Sequence, residues 1–484
     1  FYKMLKQIRS LYEYRDYLDS EKENLSLSDL KRLSSLPYKK AIHKLRKLDV
    51  GLADSLLSSL YSKTGRPAID PSTLLRSFIL MQHLNYYSLH RWYEALRSDL
   101  LLQYLIGTSD IPSVSSHYDF IVRLTGIKQK LDELHPKDYY KKPPKEKPKR
   151  NEKLINYSHT DTYYLYERYK DGASCDNDRY SYNIQSLFNQ LAVIPSMDKG
   201  LIDNESLVLS GDGSSLHIHA SKFGHKVKEG EDKDNIYRFS APDADVGWDS
   251  DLECFYLGYT FYNVSCHNKE RSIDLPVFIS IEKASRNDAL TSISAFAQLF
   301  ELNQDLHPKY VCLDSASDSL PIYQYFKHNH IIPLIDRNKR RHVDLDKTNG
   351  EYINADGIPV CKANKKMIFY GYDIQRCRSK FRCPLAMGKI ESCEYKEQCS
   401  NSKYGRVKYI NDGDDARNIP IVYRSDKWKK IYKNRTSTER INNYVLNTYG
   451  LHKMSIRNGA KQIFFSIMAG INIHLDAWIK EDNI

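Results

Sequence analysis

Residues 207–213 read LVLSGDG, and residues 309–314 read KYVCLD. In both stretches a run of apolar and β-branched residues, typical of a buried strand, leads to an aspartate. Asp212 lies between two glycines, which allow backbone or substrate to approach closely. An aspartate after a strand is most often a turn or helix-capping residue, so neither stretch identifies a site by itself. Together they predict two strands of one sheet that bring Asp212 and Asp314 to the same edge.

The neighbouring pattern predicts the rest of this sheet. Further strands are expected at 254–264, 275–281 and 331–335, with helices at 289–302 and 319–328. Three successive strands followed by alternating helix and strand indicate a mixed sheet flanked by helices, which is the order found in RNase H-like domains. The expected fold class is therefore α/β, with an RNase H-like mixed sheet, an N-terminal all-helical domain and a β-rich insertion that contains cysteines.

The chain of 484 residues is long enough for two to four domains. Lysine and proline are concentrated around residues 137–153, which predicts an extended basic linker. The predicted units are a helical N-terminal segment (1–60), a helical domain (61–135), the linker (136–153), a catalytic domain in two parts (154–336 and 429–484) and the β-rich insertion (337–428).

Composition limits the class of partner. Lysine and arginine number 72 against 61 aspartates and glutamates, a formal net charge of +11 that favours a polyanion such as nucleic acid, although an anionic membrane surface also fits. No run of about 18 apolar residues is evident, so no membrane-spanning helix is expected. The nine cysteines are an odd number and lie mostly in the C-terminal half, which favours thiols or a metal site over a disulfide framework in an intracellular protein.

A third acidic residue lies in a predicted helix over 429–446. Tyr432, Arg435 and Glu439 are spaced i, i+3 and i+7, which places them on one helical face. Arg435 and Glu439 could form only a surface ion pair. Alternatively, Glu439 binds a metal while Arg435 and Tyr432 contact the phosphate and sugar of a DNA end. Two-metal phosphoryl transfer needs such carboxylates, because Mg²⁺ prefers oxygen ligands.

The spacing Tyr-x2-Arg-x3-Glu resembles the signature helix of bacterial insertion-sequence DDE transposases, whose pattern continues with x6-Lys. The resemblance runs from about Gly65 to Trp478. It is also carried by GRP at 65–67 with DP at 70–71, GDGSS at 211–215, VCLDSA at 311–316, RNG at 457–459 and INIHL at 471–475. One position departs from the pattern, because Leu446 stands where the family has lysine. Either Lys453 or Arg457 takes that role, or this subgroup does without it.

The resemblance implies that Asp212, Asp314 and Glu439 form a catalytic triad that holds two Mg²⁺ or Mn²⁺ ions. It implies a transposase that cuts DNA at transposon ends and joins the 3′-hydroxyl to target DNA. The implied partner is double-stranded DNA, with the helical domain 61–135 binding the terminal inverted repeats. It further implies a homodimer that brings two DNA ends together, in the bacterial cytoplasm and associated with the nucleoid, with no membrane partner.

Basic residues outside the triad are candidates for further DNA contacts. Arg66, in the Gly-Arg-Pro stretch, could lie in a narrow minor groove, or the stretch could simply open the helical domain. Arg337, Lys339 and Arg340 follow the fifth strand and could contact phosphates, or they could belong to a solvated loop.

Four cysteines of the insertion are candidate zinc ligands. Their order is Cys377-x5-Cys383-x9-Cys393-x5-Cys399, with Cys361 shortly before as the likeliest substitute ligand. Tetrahedral four-cysteine sites usually use closer pairs, so structural zinc and unligated thiols both remain open. A zinc ion would contribute folding energy to a small insertion and would take no part in catalysis.

Two other functions fit part of the pattern. An RNase H-like nuclease that cuts DNA without joining it would share the carboxylates, but would not need the helical domain or the long insertion. A domesticated DNA-binding protein without activity is the second alternative, against which the intact Asp212, Asp314 and Glu439 argue.

Overall fold

The protein is described here from a computed structural model. The described residues are 3–5, 7–126, 134–136, 157–170, 172, 182–223, 225–227, 236–338, 350–413 and 415–481. Most of the predicted linker (136–153) lies outside these residues. Lys339 and Arg340, two of the predicted DNA contacts, also lie outside them.

The N-terminal part consists of short helices with clear capping signals. Ser10 and Glu13 form a capping box at the first helix, and Asp70 caps the helix that begins at Pro71. Two short strands, β1 (Lys3–Met4) and β2 (Arg66–Pro67), form a parallel pair, and β2 lies shortly before that helix in the chain. The helices are α1 (Leu11–Glu21), α2 (Leu27–Leu33), α3 (Leu36–Leu45), α4 (Asp54–Ser59), α5 (Pro71–His83), α6 (Leu89–Ser98), α7 (Leu100–Ile106) and α8 (Val114–Thr125).

The centre of the chain forms a six-stranded mixed sheet. Its strands are β4 (Val208–His217), β7 (Asp245–Asp249), β8 (Cys254–Asn268), β9 (Ile273–Lys283), β10 (Tyr310–Leu313) and β11 (Ile332–Ile335). β11, β10, β4 and β8 are neighbours in that order, and β7 and β9 both pair with β8. β4, β10 and β11 run parallel to one another, whereas β8 is antiparallel to β4, β7 and β9. A smaller antiparallel sheet joins β3 (Leu134–Pro136), β5 (His225–Val227) and β6 (Ile236–Arg238).

Helices cover both faces of the central sheet. They are α9 (Tyr157–Tyr169), α10 (Tyr182–Phe188), α11 (Ile194–Asp198), α12 (Asp288–Leu302), α13 (Leu320–His328), α15 (Asp426–Tyr432), α16 (Thr436–Asn443) and α17 (Gly459–Glu481). A side chain at Gly211 would meet Phe296 of α12, whereas Asp212 contacts Asn442 of α16. Successive residues of a strand face opposite sides, so α12 and α16 lie on opposite faces. The prediction of an α/β fold with a mixed sheet and flanking helices is confirmed.

The insertion carries strands β12 (Tyr352–Ile353), β13 (Pro359–Val360), β14 (Ile368–Asp373), β15 (Arg378–Arg382) and β16 (Val407–Asn411), with the short helix α14 (Lys396–Cys399). β14, β15 and β16 form an antiparallel sheet. Arg417 anchors the end of the insertion to the central domain through an ion pair of 2.9 Å with Asp318.

The C-terminal helix α17 is the centre of the hydrophobic core. It packs against β9 on one side and against α3, α5 and α8 on the other. By length and composition α17 could cross a membrane, but 94% of its most apolar window is buried inside the protein. The chain therefore does contain an apolar segment of that length, contrary to the sequence expectation, and the fold uses it as a core helix that unites the N-terminal helices with the sheet.

The segment expected as one helix over 429–446 is divided. α15 ends at Tyr432, a 3₁₀ turn follows over Lys433–Arg435, and α16 ends in a wider π-helical turn over Tyr444–Thr448. The tighter and wider turns change the angular spacing of the side chains. A 3₁₀ turn lies between Tyr432 and Glu439, so the three residues do not lie on one continuous α-helix as predicted, although they still converge on the sheet.

Candidate active site

Asp212 and Asp314 lie on neighbouring parallel strands. The register pairs Tyr310 with Val208 and Cys312 with Ser210, so that Asp314, two residues after Cys312, comes level with Asp212. β10 ends at this point while β4 continues, which leaves the aspartates at a step in the sheet.

Arg435 links two of the three predicted carboxylates. Its Nη1 atom is 3.7 Å from Oδ1 of Asp212 and 3.3 Å from Oε1 of Glu439. The side chain of Asp212 is 18% exposed and that of Glu439 is 57% exposed. The structure therefore brings Glu439 to the sheet edge through a shared guanidinium, with its carboxylate on the solvent side.

A chain of amides holds Asp212 in place. Asn263, its partner on β8, donates to Oδ1 of Asn442 at 2.5 Å, and Asn442 donates in turn to Oδ2 of Asp212 at 3.4 Å. Both asparagines are buried. Because the amides carry no charge, they orient the carboxylate without neutralising it.

Tyr432 and Asp314 have structural contacts of their own. Tyr432 donates its hydroxyl hydrogen to the carbonyl oxygen of Leu313 at 3.0 Å, and its ring stacks on Trp428 at 4.2 Å between centroids. Oδ1 of Asp314 accepts from the backbone N–H of Ala316 at 3.2 Å, which makes it the cap of a 3₁₀ turn. Tyr432 thus fixes the end of β10. Asp314 caps a turn, as its position after a strand suggested, and it also lies in the candidate site.

Asp288 is a fourth carboxylate that the sequence prediction missed. It is the first residue of α12 and approaches the sheet from the face opposite to Asp212. A Cβ atom at Gly213 would lie only 2.9 Å from Oδ1 of Asp288, so the glycine makes room for this carboxylate. Asp288 also lines a cleft of about 300 Å³ with Asp249 and Trp248. In the sequence, the only signal for this carboxylate was the Asn287–Asp288 pair that follows β9. Such a pair looks the same as an ordinary helix start.

The carboxylates perturb one another electrostatically. Burial raises the pKa of Asp212 to about 7, with Arg435 opposing the shift and the charges of Asp314, Asp288 and Glu439 adding to it. Burial, and then the charge of Asp314, raises the pKa of Asp288 to about 6. Oxygen ligands with excess negative charge suit a hard cation such as Mg²⁺ or Mn²⁺, so these residues fit the implied metal ions. Within the described residues no three His, Cys, Asp or Glu side chains already form a metal-binding group.

The raised pKa of Asp212 predicts a pH-dependent effect of Asp212→Asn on stability. An acid whose pKa is about 7 in the folded protein and 3.8 unfolded holds its proton more tightly when folded, so stability falls as pH rises from about 4 to 7. Asparagine lacks this ionisation. In chelator-treated protein, the Tm of Asp212→Asn relative to the parent should therefore increase over that range. Asp305→Asn, at an exposed position, is the control, and a Tm difference independent of pH would contradict the assignment.

Of the other predicted DNA contacts, the structure describes Arg66 and Arg337, and neither side chain is seen to contact the carboxylates. Arg337 donates from Nη1 to the carbonyl oxygen of Ala355 at 2.8 Å and lies over the ring of Tyr423, so its guanidinium holds the insertion. Arg66 is exposed on β2. Leu446, in place of the family lysine, is buried, whereas Lys453 is exposed.

An exposed basic group next to Arg435 was missed in the sequence prediction. It consists of four lysines on α15 and the turn that follows: Lys427, Lys429, Lys430 and Lys433. We call these residues the α15 lysines. They lie on the helix and turn that lead into Arg435, and exposed lysines of this kind are suited to contact a phosphate backbone.

The predicted zinc ligands separate into two places. Cys377 is exposed at the turn between β14 and β15, where its thiol donates to the carbonyl oxygen of Ile374 at 3.4 Å. Cys383, Cys393 and Cys399 are each partly buried and lie in a different part of the insertion, together with Cys361.

Residues 35–123 match a family model described as Transposase domain (DUF772). The matched segment extends from the start of α3 into α8 and is less than half of the chain. No curated protein and no solved structure gives a significant match. The family match supports a transposase role and a DNA-processing enzyme, in agreement with that part of the sequence prediction.

Proposed function

We propose that this protein is a DDE-type transposase that hydrolyses DNA at transposon ends and joins the 3′-hydroxyl to target DNA. The observation that carries the proposal is the meeting of Asp212, Asp314 and Glu439 around Arg435 at one step of the sheet. The transposase-domain match in residues 35–123 supports it independently, because that segment contains none of the three carboxylates.

The sheet supports an RNase H-like assignment. Apart from β7, which pairs with β8, the antiparallel strands β4, β8 and β9 come first in the chain, and the parallel strands β10 and β11 follow on the other side of β4. This order places the two aspartates in the centre of the sheet. The third acidic residue then comes from α16, which packs against β4, β8 and β9.

Two Mg²⁺ or Mn²⁺ ions bound by Asp212, Asp314 and Glu439 would activate the attacking oxygen and stabilise the leaving oxygen. The chain's own groups orient this chemistry. Asn263 and Asn442 fix the Asp212 carboxylate, and Arg435, which lies between Asp212 and Glu439, is placed to hold the scissile phosphate once the carboxylates are occupied. The α12 carboxylate Asp288 adds negative charge behind the strand.

DNA recognition is assigned to the helical region, but not to α5. Every residue from Pro71 to Gln82 is buried, so α5 cannot enter a groove. α6 is amphipathic and exposes His90, Arg91 and Arg97 on its outer face. We assign terminal-repeat contacts to this face, and include in the proposal a homodimer that pairs two DNA ends in the bacterial cytoplasm at the nucleoid.

The α15 lysines should contribute to the salt dependence of DNA binding. Each phosphate contact steepens the dependence of log K on log salt concentration by about 0.9 for duplex DNA. Replacing Lys429, Lys430 and Lys433 with glutamine should therefore reduce the slope by up to about 3 and weaken binding to all sequences alike. Equilibrium binding at several salt concentrations measures this, with replacement of the exposed Lys22, Lys31 and Lys39 as a charge-matched control. Equal slopes for the two triple variants would reject the assignment.

Labelled DNA with candidate transposon ends, incubated with the protein and Mg²⁺, tests the function. Cleavage at the ends followed by joining to a target plasmid supports a transposase. Cleavage without joining supports a nuclease, and specific binding without cleavage supports a domesticated DNA-binding protein.

A further inference from the structure

The helix α16 carries Glu439 but offers little apolar surface to hold it on the sheet. Its eight residues read TSTERINN, and Ile441 is the one aliphatic side chain among them. Apolar burial is non-directional, so by itself it would let so short a helix shift or rotate. Directional contacts are therefore needed to fix the carboxylate that α16 presents.

Two buried contacts attach the two ends of α16 to β8. Near the start of the helix, Oγ of Ser437 lies 2.9 Å from Oγ of Ser265, and both residues are fully buried. Near its end, Oδ1 of Asn442 accepts from Asn263 at 2.5 Å. Asn263 and Ser265 are two residues apart on one strand, so they project from the same face of the sheet. These neutral contacts fix where α16 lies along β8.

Arg440, the residue after Glu439, makes a charged contact with β9. Its Nε donates to Oδ2 of Asp274 at 2.5 Å and its Nη2 donates to Oδ1 at 2.8 Å, which forms a two-point fork. Its third nitrogen, Nη1, donates to Oγ1 of Thr436, one turn earlier in the helix, at 2.8 Å. Each guanidinium nitrogen is thus bonded, and forks of this kind are among the stronger hydrogen-bonded contacts in proteins.

Asp274 is in turn held on the sheet. Its side chain is 11% exposed, and Nδ1 of His267 lies 2.8 Å from its Oδ1. His267 on β8 and Asp274 on β9 are direct partners in the sheet register. An ion pair between two exposed side chains contributes little, whereas this pair has a shielded partner fixed to two strands. The carboxylate is therefore a fixed point from which Arg440 sets the position of α16.

We propose that Asp274 and Arg440 are positioning residues for Glu439, an inference that rests on the metal site of the proposed function. Arg440 ties the backbone next to Glu439 to β9, while Arg435 contacts the Glu439 carboxylate at 3.3 Å. Mg²⁺ demands near-ideal octahedral geometry, so a small displacement of one carboxylate weakens its binding. The two residues act through the position of the helix and need no contact with metal or DNA.

Mn²⁺ binding to the full-length protein, measured by electron paramagnetic resonance, tests the proposal without requiring DNA cleavage. Arg440→Gln and Asp274→Asn should each weaken Mn²⁺ binding by about 10-fold or more, the usual effect of removing a group that orients a metal ligand. The double variant should lose no more than either single variant, because the two residues act as one unit. Arg46→Gln is the matched control, since Arg46 forms a similar fork with Asp19, at 2.8 and 3.0 Å, among the N-terminal helices.

Unchanged Mn²⁺ binding in Arg440→Gln, or an equal loss in Arg46→Gln, would overturn the positioning role. A parent protein that binds no Mn²⁺ would reject the metal site and the positioning role together. A parent that binds Mn²⁺ but cuts no end DNA would reject the transposase function and leave the positioning role standing. If the parent cuts DNA, Arg440→Gln should need about 10-fold more Mg²⁺ for half-maximal cleavage.

A milder variant covers the case in which Arg440→Gln does not fold. Arg440→Lys keeps the charge but cannot form the fork, so it should fold and still bind Mn²⁺ more weakly than the parent. Hydrogen–deuterium exchange should be faster than in the parent over 436–443 and unchanged in α17. Exchange that is unchanged in both helices, or faster in both to the same degree, would contradict a specific positioning role.

Discussion

Glu439→Gln should lower the rate of DNA strand cleavage by about 100-fold or more, because it removes metal-binding charge at the scissile phosphate. Glu439 is the most exposed of the three carboxylates and shares Arg435 with Asp212. Its loss should therefore impair chemistry while leaving the fold and end binding intact. Asp314→Asn should have an effect of similar size on cleavage. Single-turnover cleavage of labelled end DNA measures both.

Glu270→Gln, at an exposed position after β8, is the matched control and should cleave at the parent rate. Binding of end DNA, measured in parallel, separates a chemical defect from misfolding. If Glu439→Gln cleaves and joins normally while Asp288→Asn is inactive, the third carboxylate has been assigned to the wrong element.

Phe78→Ala should destabilise the protein by about 3–5 kcal/mol, which is the usual range for removing a buried aromatic ring. Phe78 is fully buried on α5. The centroid of its ring lies 4.6 Å from that of Phe464 and 5.8 Å from that of Phe465, both on α17. Phe120 of α8 completes the cluster at 6.3 Å. The cavity would therefore open where the N-terminal helices join the C-terminal helix.

Urea unfolding and thermal melts compare Phe78→Ala with the parent, and Leu100→Ala, 69% exposed, provides the surface control. A change for Phe78→Ala no larger than that for Leu100→Ala would show that the helices pack differently.

The core shared by the N-terminal helices and α17 affects how a deletion experiment can be interpreted. Removing residues 65–125 would expose one side of α17, so loss of DNA binding by such a truncation would not identify the recognition surface. Substitutions at Arg91 and Arg97 on α6 are the cleaner test.

The sequence by itself determined the local elements and the two strands that lead to Asp212 and Asp314. Apolar, β-branched runs before Asp212 and Asp314 are a strong strand signal, and their consecutive order predicted a mixed sheet. Asp70 with Pro71 is a helix start of this kind, because a capping side chain satisfies a backbone N–H group that nothing else reaches. The helix α9 was missed, since its many tyrosines give no clear apolar period.

Only the tertiary structure decided which polar groups meet. Asp288 reaches the site because α12 packs on the central sheet, and the preference of a residue for a helix says nothing about what that helix approaches. The positions of the cysteines also depend on the tertiary structure. Cys377 is close to Cys383 in sequence, yet the turn between β14 and β15 takes it to another part of the insertion. Cys361 is farther away in sequence but lies in the same part of the insertion as Cys383. Spacing in sequence fixes contacts within one element, and contacts between elements depend on how their apolar faces are buried.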